Sequence, residues 1–133
     1  MAERQMQIGE VAERTGLSLR TIRHYEEVGL VIPSARSRGG FRLYTEADVD
    51  RLMVIRRMKP LDFSLEEMRD LLEVTDRIAA TDDPPTDAEK VRLRERLDTY
   101  RKVADARCEK LRAQLMAAED FASTLRQRLG AGK

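Results

Sequence analysis

Apolar residues near the start of the chain recur at helical spacing in two short stretches. The first stretch predicts a helix over residues 8–14 that ends at Gly16. Ser18 is a favoured N-terminal cap for a second helix over residues 19–28, and Gly29 is the glycine that commonly follows a helix C-terminus. Two short helices joined by a brief turn are typical of a helix-turn-helix.

The spacing of apolar residues changes from helical to alternating in the middle of the chain. Alternating apolar and polar residues at 41–44 follow Gly39-Gly40, which predicts a β-hairpin. A capping sequence at 45–48 then opens a third helix that ends at Pro60, and a second capping sequence at 64–67 opens a fourth. The fold class is therefore mainly α, with one small hairpin.

The last part of the chain predicts one long helix. It opens with a capping box at 86–89 and meets no breaker before Gly130, a length of about 45 residues and ~67 Å. Its apolar stripe follows a spacing of four and three, with a stutter between residues 100 and 108, and this spacing indicates a coiled-coil seam. The predicted dimerisation residues are Leu93, Leu97, Tyr100, Ala104, Cys108, Leu111, Leu115, Ala118, Ala122, Leu125 and Leu129.

Large and small residues alternate in pairs along this seam. Packing at constant density favours large residues opposite small ones, which an antiparallel pair of helices achieves. The preferred register sets Leu111 opposite Cys108 of a second copy, near the middle of the helix. A second register, with Leu115 opposite Ala118, stays open. We expect an antiparallel homodimer.

The amino-acid composition argues against several classes of protein function. The 133 residues carry 25 Lys and Arg against 24 Asp and Glu, yet five arginines and only two glutamates fall between residues 20 and 42. One Cys and one His leave too few ligands for a zinc or iron–sulfur site, and no enzyme motif stands out. No apolar run approaches the roughly 20 residues that span a bilayer. We expect a soluble, cytoplasmic, non-enzymatic protein without a metal or cofactor.

The excess of arginine lies where a helix-turn-helix meets DNA. Small polar and basic side chains crowd the start of the second helix, which can enter a major groove, and the hairpin would form a wing that reaches phosphates. An ordinary helical hairpin with a charged face is the alternative. The expected domains are a DNA-binding domain at 1–75, a linker at 76–86 and a dimerisation helix at 87–133.

Four segments, at 8–12, 17–30, 40–45 and 63–68, resemble the MerR family of bacterial transcriptional regulators. The resemblance implies a winged helix-turn-helix dimer on a near-palindromic promoter operator in double-stranded DNA. Such a dimer distorts the promoter spacer so that RNA polymerase can engage it. By position, the resemblance implies DNA contacts from Ser18, Arg20, Thr21, Arg23, His24 and Tyr25, from the wing residues Arg36, Arg38, Arg42 and Tyr44, and from Lys59.

Some positions depart from the family pattern. His24 stands where an aromatic residue is usual, and Asp62 where glycine is common, so that turn is expected to differ. The cysteines of metal-sensing members are missing, and no separate effector domain is expected. Cys108 falls on the seam, where packing is favoured over a redox role.

Two other functions remain candidates. One is an architectural or excisionase-like DNA-bending protein, and the other is a protein-interaction module built on the long helix.

Overall fold

The computed structural model describes residues 4–33 and 35–131. Helices dominate, as predicted. The elements in chain order are β1 (Met6–Gln7), α1 (Ile8–Thr15), α2 (Leu19–Glu27), β2 (Ala35–Arg36), β3 (Arg42–Tyr44), α3 (Glu46–Met58), a short 3-10 helix (Lys59–Leu61), α4 (Leu65–Ala79) and α5 (Asp87–Ala131).

The first two helices form the predicted helix-turn-helix. Helix α1 ends at Gly16, whose φ of 73° is left-handed and whose amide donates to the carbonyl oxygen of Ala12. Ser18 caps α2, because its hydroxyl accepts a hydrogen bond from the Thr21 amide at 3.0 Å. Helix α2 ends at Glu27, one residue before the predicted end.

A three-stranded antiparallel sheet follows, in the order β1-β3-β2. The predicted hairpin corresponds to β2 and β3, which pair Ala35 with Leu43. Its tip is held by a hydrogen bond from the Ser37 amide to the Phe41 carbonyl at 2.9 Å, and Gly40 has a φ of 80° in the connection. Strand β1 was not predicted, since two residues are too few to show an alternating pattern.

The core of the first unit lies among α1, α2, α3 and the sheet. Val11, Ile22, Leu52 and Ile55 have no exposed surface. Each such side chain stabilises the fold by about 1.5–3 kcal/mol relative to exposure. The apolar stripes of the predicted helices therefore account for the core, and they fix α2 to its scaffold from the inner side.

Both capping boxes of this region are confirmed. Thr45 and Asp48 exchange side-chain to backbone hydrogen bonds at the start of α3, and Ser64 and Glu67 do so at the start of α4 at 2.9 and 3.1 Å. Asp62, between the two helices, has a φ of 58° and closes its turn with a hydrogen bond to the Lys59 carbonyl at 2.9 Å. Aspartate tolerates this left-handed conformation, so the turn forms without a glycine.

The chain divides into two compact units between Asp76 and Arg77. Helix α4 continues through Ala79, beyond the start of the expected linker at 76. In the second unit, α5 runs unbroken over 45 residues as predicted. Its capping box is confirmed by the hydrogen bond from the Glu89 amide to the Thr86 hydroxyl at 3.2 Å. None of the helices formed by the described residues is long and apolar enough to cross a membrane.

Candidate nucleic-acid interface

The outer face of α2 carries the basic side chains that were predicted to meet DNA. Arg20, Arg23 and His24 are exposed, and together with Glu27 they line one open depression on this face. The spacing of three and four residues sets them on one side of the helix. Guanidinium groups on an exposed helix face can donate paired hydrogen bonds to guanine or to phosphate.

A second depression runs beside α2. It has a volume of about 410 Å³ and joins a basic rim to an apolar floor. Lys59, at the end of α3, is exposed and shares this depression with Arg20, which places the predicted backbone contact next to the recognition helix. Its lining residues are Arg20, Thr21, His24, Tyr25, Lys59, Phe63, Leu65 and Met68.

Two residues of the predicted contact set have local roles at the start of α2. The Ser18 hydroxyl accepts from the Thr21 amide and donates to the Thr21 hydroxyl at 2.9 Å. The first bond satisfies one amide of the helix N-terminus, and a helix N-terminus itself favours a phosphate. Ser18 is exposed and Thr21 is half-buried.

The wing presents a second basic surface. Arg36 and Arg38 are exposed, and Arg36 donates to the Gly40 carbonyl at 3.1 Å, which braces the tip. Phe41 is 64% exposed at the same tip. The sequence prediction did not single out Phe41, although its position beside the glycines marks it as a tip residue.

Tyr25 and Tyr44 differ from the expectation that both contact DNA. Tyr25 is 1% exposed and Tyr44 has no exposed surface, since each ring faces the core rather than the outer face of its element. The Tyr25 hydroxyl is also buried without a hydrogen-bond partner among the described residues. We therefore leave both tyrosines out of the contact set proposed below.

Glu26 joins the two basic surfaces, and the sequence prediction missed it. Its carboxylate accepts a hydrogen bond from Arg42 Nε at 2.5 Å and one from the Tyr44 hydroxyl at 2.7 Å. The bond from Arg42 is the main cause that raises the pKa of that guanidinium. Burial, followed by the bond to Glu26, raises the pKa of the Tyr44 hydroxyl well above its ordinary value.

Three further arginines, Arg51, Arg56 and Arg69, each donate a hydrogen bond to a backbone carbonyl. Arg56 Nη1 donates to the Thr15 carbonyl at 2.9 Å, where α1 ends. Arg51 Nε donates to the Leu30 carbonyl at 2.6 Å, and Arg69 donates to the carbonyl of Val28 at the end of α2. Carbonyls at helix ends lack partners within the helix, and Arg56 and Arg69 satisfy two of them. These arginines therefore have a structural role.

The predicted dimerisation residues lie on α5, in the second unit. Leu93 is buried, and the residues from Leu97 to Cys108 on the seam are half-buried. Beyond them, Leu111, Leu115, Leu125 and Leu129 are between 41% and 77% exposed, Ala118 is exposed and Ala122 is half-buried. The single helix leaves this stripe open to solvent, which is the condition for a coiled-coil partner.

Two family models match the chain. The MerR HTH family regulatory protein model covers residues 6–74, and the model described as MerR, DNA binding covers residues 49–128. The first match spans the helix-turn-helix, the wing and α3. The second spans α3, α4 and most of α5.

Curated relatives agree with the models. The mercuric resistance operon regulatory protein of Bacillus cereus is 44% identical over 73 residues, which are 55% of this chain and 55% of that protein. The HTH-type transcriptional activator TipA of Streptomyces coelicolor is 37% identical over 112 residues, which are 84% of this chain and 39% of that protein. This chain thus spans about half the length of the first relative and less of the second.

Solved structures show the same architecture. HiNmlR, described as a MerR family regulator lacking the sensor domain and bound to promoter DNA, aligns with a TM-score of 0.67 over 98% of this chain and 97% of its own, and at 24% identity it supports the fold alone. The transcription regulator PbrR691 from Ralstonia metallidurans CH34, in complex with lead(II), is 33% identical with a TM-score of 0.55, over 89% of this chain and 86% of its own. On these matches, the chain belongs to the MerR family of helix-turn-helix regulatory proteins.

Proposed function

We propose that this protein is a homodimeric, DNA-binding regulator of transcription. The observation that carries the proposal is the basic face of α2 beside the basic wing, held on a folded core. Helix α2 would enter the major groove, and the wing would follow the phosphate backbone. The proposed contact residues are Ser18, Arg20, Thr21, Arg23, His24, Arg36, Arg38, Arg42 and Lys59.

The open stripe of α5 supports a homodimer. Pairing α5 with α5 of a second copy would cover the exposed leucines from Leu111 to Leu129, and the alternation of large and small residues favours the antiparallel orientation. A symmetric dimer reads an inverted repeat, because each half-site meets the same helix. We propose that the dimer distorts a promoter operator and acts there together with RNA polymerase.

Selection of bound sequences from a random duplex library tests the proposal. Near-physiological salt is needed, because low salt favours binding without sequence preference. We expect one inverted-repeat motif. Recovery of only A·T-rich, flexible DNA would contradict a promoter-specific regulator and favour the architectural, excisionase-like alternative. A protein that retains no duplex at any salt concentration would contradict DNA binding altogether.

A further inference from the structure

Glu26 is an acidic side chain inside a surface that is proposed to meet phosphates. Its side chain is 12% exposed, so it is neither a core residue nor freely solvated. A carboxylate at this place repels a polyanion, which makes its presence costly for DNA binding. Both of its oxygens are occupied, one by Arg42 and the other by Tyr44, and both donors come from strand β3.

The two donors differ in their exposure to solvent. Residues at positions i and i+2 of a strand share one face, so Arg42 and Tyr44 both meet Glu26 from the same face of the central strand β3. Tyr44 is fully buried and its hydroxyl therefore holds the first carboxylate oxygen in place. The second oxygen is thereby fixed, and it binds a guanidinium whose side chain is 36% exposed. Tyr44 thus orients Glu26, and Glu26 orients Arg42.

The bond to Glu26 uses the inner nitrogen of the guanidinium. Because Arg42 donates through Nε, its two terminal nitrogens stay available for other acceptors. A planar guanidinium held at Nε has lost most of its rotamer freedom before any ligand arrives. This arrangement suits paired donation to one phosphate, because the ordering cost of the long side chain is already met within the protein.

We propose that Glu26 is a positioning residue for DNA binding: together with Tyr44 it aims the terminal nitrogens of Arg42 at a backbone phosphate beside the recognition helix. It also ties the wing to α2, so that both reach the duplex in one fixed arrangement. The inference rests on the proposed function and deepens it, since it assigns a role to an acidic residue that never touches DNA.

A purely repulsive charge and a positioning role predict opposite changes in DNA affinity for the variant Glu26→Gln. If Glu26 only repels phosphates, its neutralisation tightens binding. If Glu26 positions Arg42, the variant weakens binding, because the charge-assisted bond that holds the guanidinium becomes at most a weaker bond to a neutral amide oxygen. Glutamine keeps the length and volume of the side chain, and the Tyr44 hydroxyl can donate to its oxygen or accept from its amide.

The experiment measures affinity for a mixed-sequence duplex over a range of salt concentrations, with the full chain. Phosphate contacts do not depend on sequence, so no operator is required. We expect Glu26→Gln to weaken binding about tenfold. We also expect the negative slope of log affinity against log salt to become shallower by about 1.8, because each half of the proposed dimer loses one phosphate contact and each contact contributes about 0.9 to that slope. Thermal denaturation of wild type and variants at one protein concentration is the check that each variant is folded.

Glu27→Gln is the matched control. Glu27 is the next residue of α2, is exposed, and acts on Arg42 only as a weaker charge at longer range. Its neutralisation should tighten binding about twofold to threefold, in line with charge alone. Arg42→Lys keeps the positive charge but has no Nε to bind Glu26, so we expect it to weaken binding even if Glu26→Gln does not fold.

The outcomes separate the two proposals. Tighter binding by Glu26→Gln, equal to that of Glu27→Gln, would overturn the positioning role and leave the proposed function standing. Unchanged affinity and salt slope in Arg42→Lys would overturn it as well. A wild-type protein with no salt-dependent duplex affinity would overturn the proposed function and this inference with it. In an Arg42→Lys background, Glu26→Gln should no longer weaken binding, since no oriented guanidinium remains to be lost.

Discussion

Replacing Tyr25 by Phe should stabilise the protein and leave its DNA affinity unchanged. The Tyr25 side chain is 1% exposed, and its hydroxyl is buried without a hydrogen-bond partner among the described residues. A buried polar group in that state costs about 1–3 kcal/mol, which phenylalanine removes without changing the ring that fills the core. For a unit of this size, each kcal/mol corresponds to about 4–8 °C in Tm, so the gain is easily resolved.

The assay is urea and thermal denaturation of wild type and variant at one protein concentration, because the Tm of a dimer depends on concentration. A higher midpoint with an unchanged denaturant slope reports stability itself. Tyr44→Phe is the paired control: its hydroxyl donates to the Glu26 carboxylate at 2.7 Å, and losing that bond should destabilise the unit by about 1.5–3 kcal/mol.

Two results would refute the reasoning about Tyr25. If Tyr25→Phe lowers stability by about 1 kcal/mol, its hydroxyl has a partner in solution and the burial argument fails. If stability is unchanged and duplex affinity falls tenfold, the hydroxyl reaches the DNA backbone. The contact implied by the family resemblance would then be correct.

Three further changes test other parts of the molecule. Arg56→Met should destabilise the first unit by about 0.5–1.5 kcal/mol in urea, because the last carbonyl of α1 loses its cap, and it should leave the salt dependence of DNA binding unchanged. Leu111→Asp on the proposed seam of α5 should convert the proposed dimer to a monomer in analytical ultracentrifugation, whereas Met116→Asp, 69% exposed and off that seam, should not. Equal behaviour of the two variants would contradict the seam. The hydrogen bond from Arg14 lowers the pKa of Glu46, so the ionised carboxylate stabilises the fold above the ordinary value near 4.3, and this contribution disappears as the pH falls through the lowered pKa. Glu46→Gln should therefore flatten the loss of stability below about pH 4.3 in acid titrations, and a curve identical to that of wild type would contradict the pairing.

Helix starts were predictable because their causes are local. Each cap satisfies a backbone amide three residues further on, so the sequence alone carries the signal; the caps are Ser18, Thr45, Ser64 and Thr86. The long α5 was predictable for a related reason, since its stripe repeats over many turns and no breaker interrupts it. The wing glycines likewise marked the hairpin.

The parts that the sequence left open depend on contacts between distant residues. Tyr25 is an exception, because it lies three residues after the buried Ile22 and the helical spacing alone sets it on the core side of α2. Glu26 meets its two donors 16 and 18 residues further on, across a loop. Arg56 reaches a carbonyl 41 residues earlier. No local pattern encodes such pairs.

Strand β1 bears on the order in which the protein gains its activity during synthesis. Met6 pairs with Tyr44, so β1 and β3 close a loop of 38 positions that contains both helices of the helix-turn-helix. Closing a loop of that length costs entropy that only the completed contacts repay. A nascent chain that has released α1 and α2 but not β3 therefore lacks the sheet that holds them. We expect the helix-turn-helix to become stable in one step, once the wing strand β3 has paired with β1.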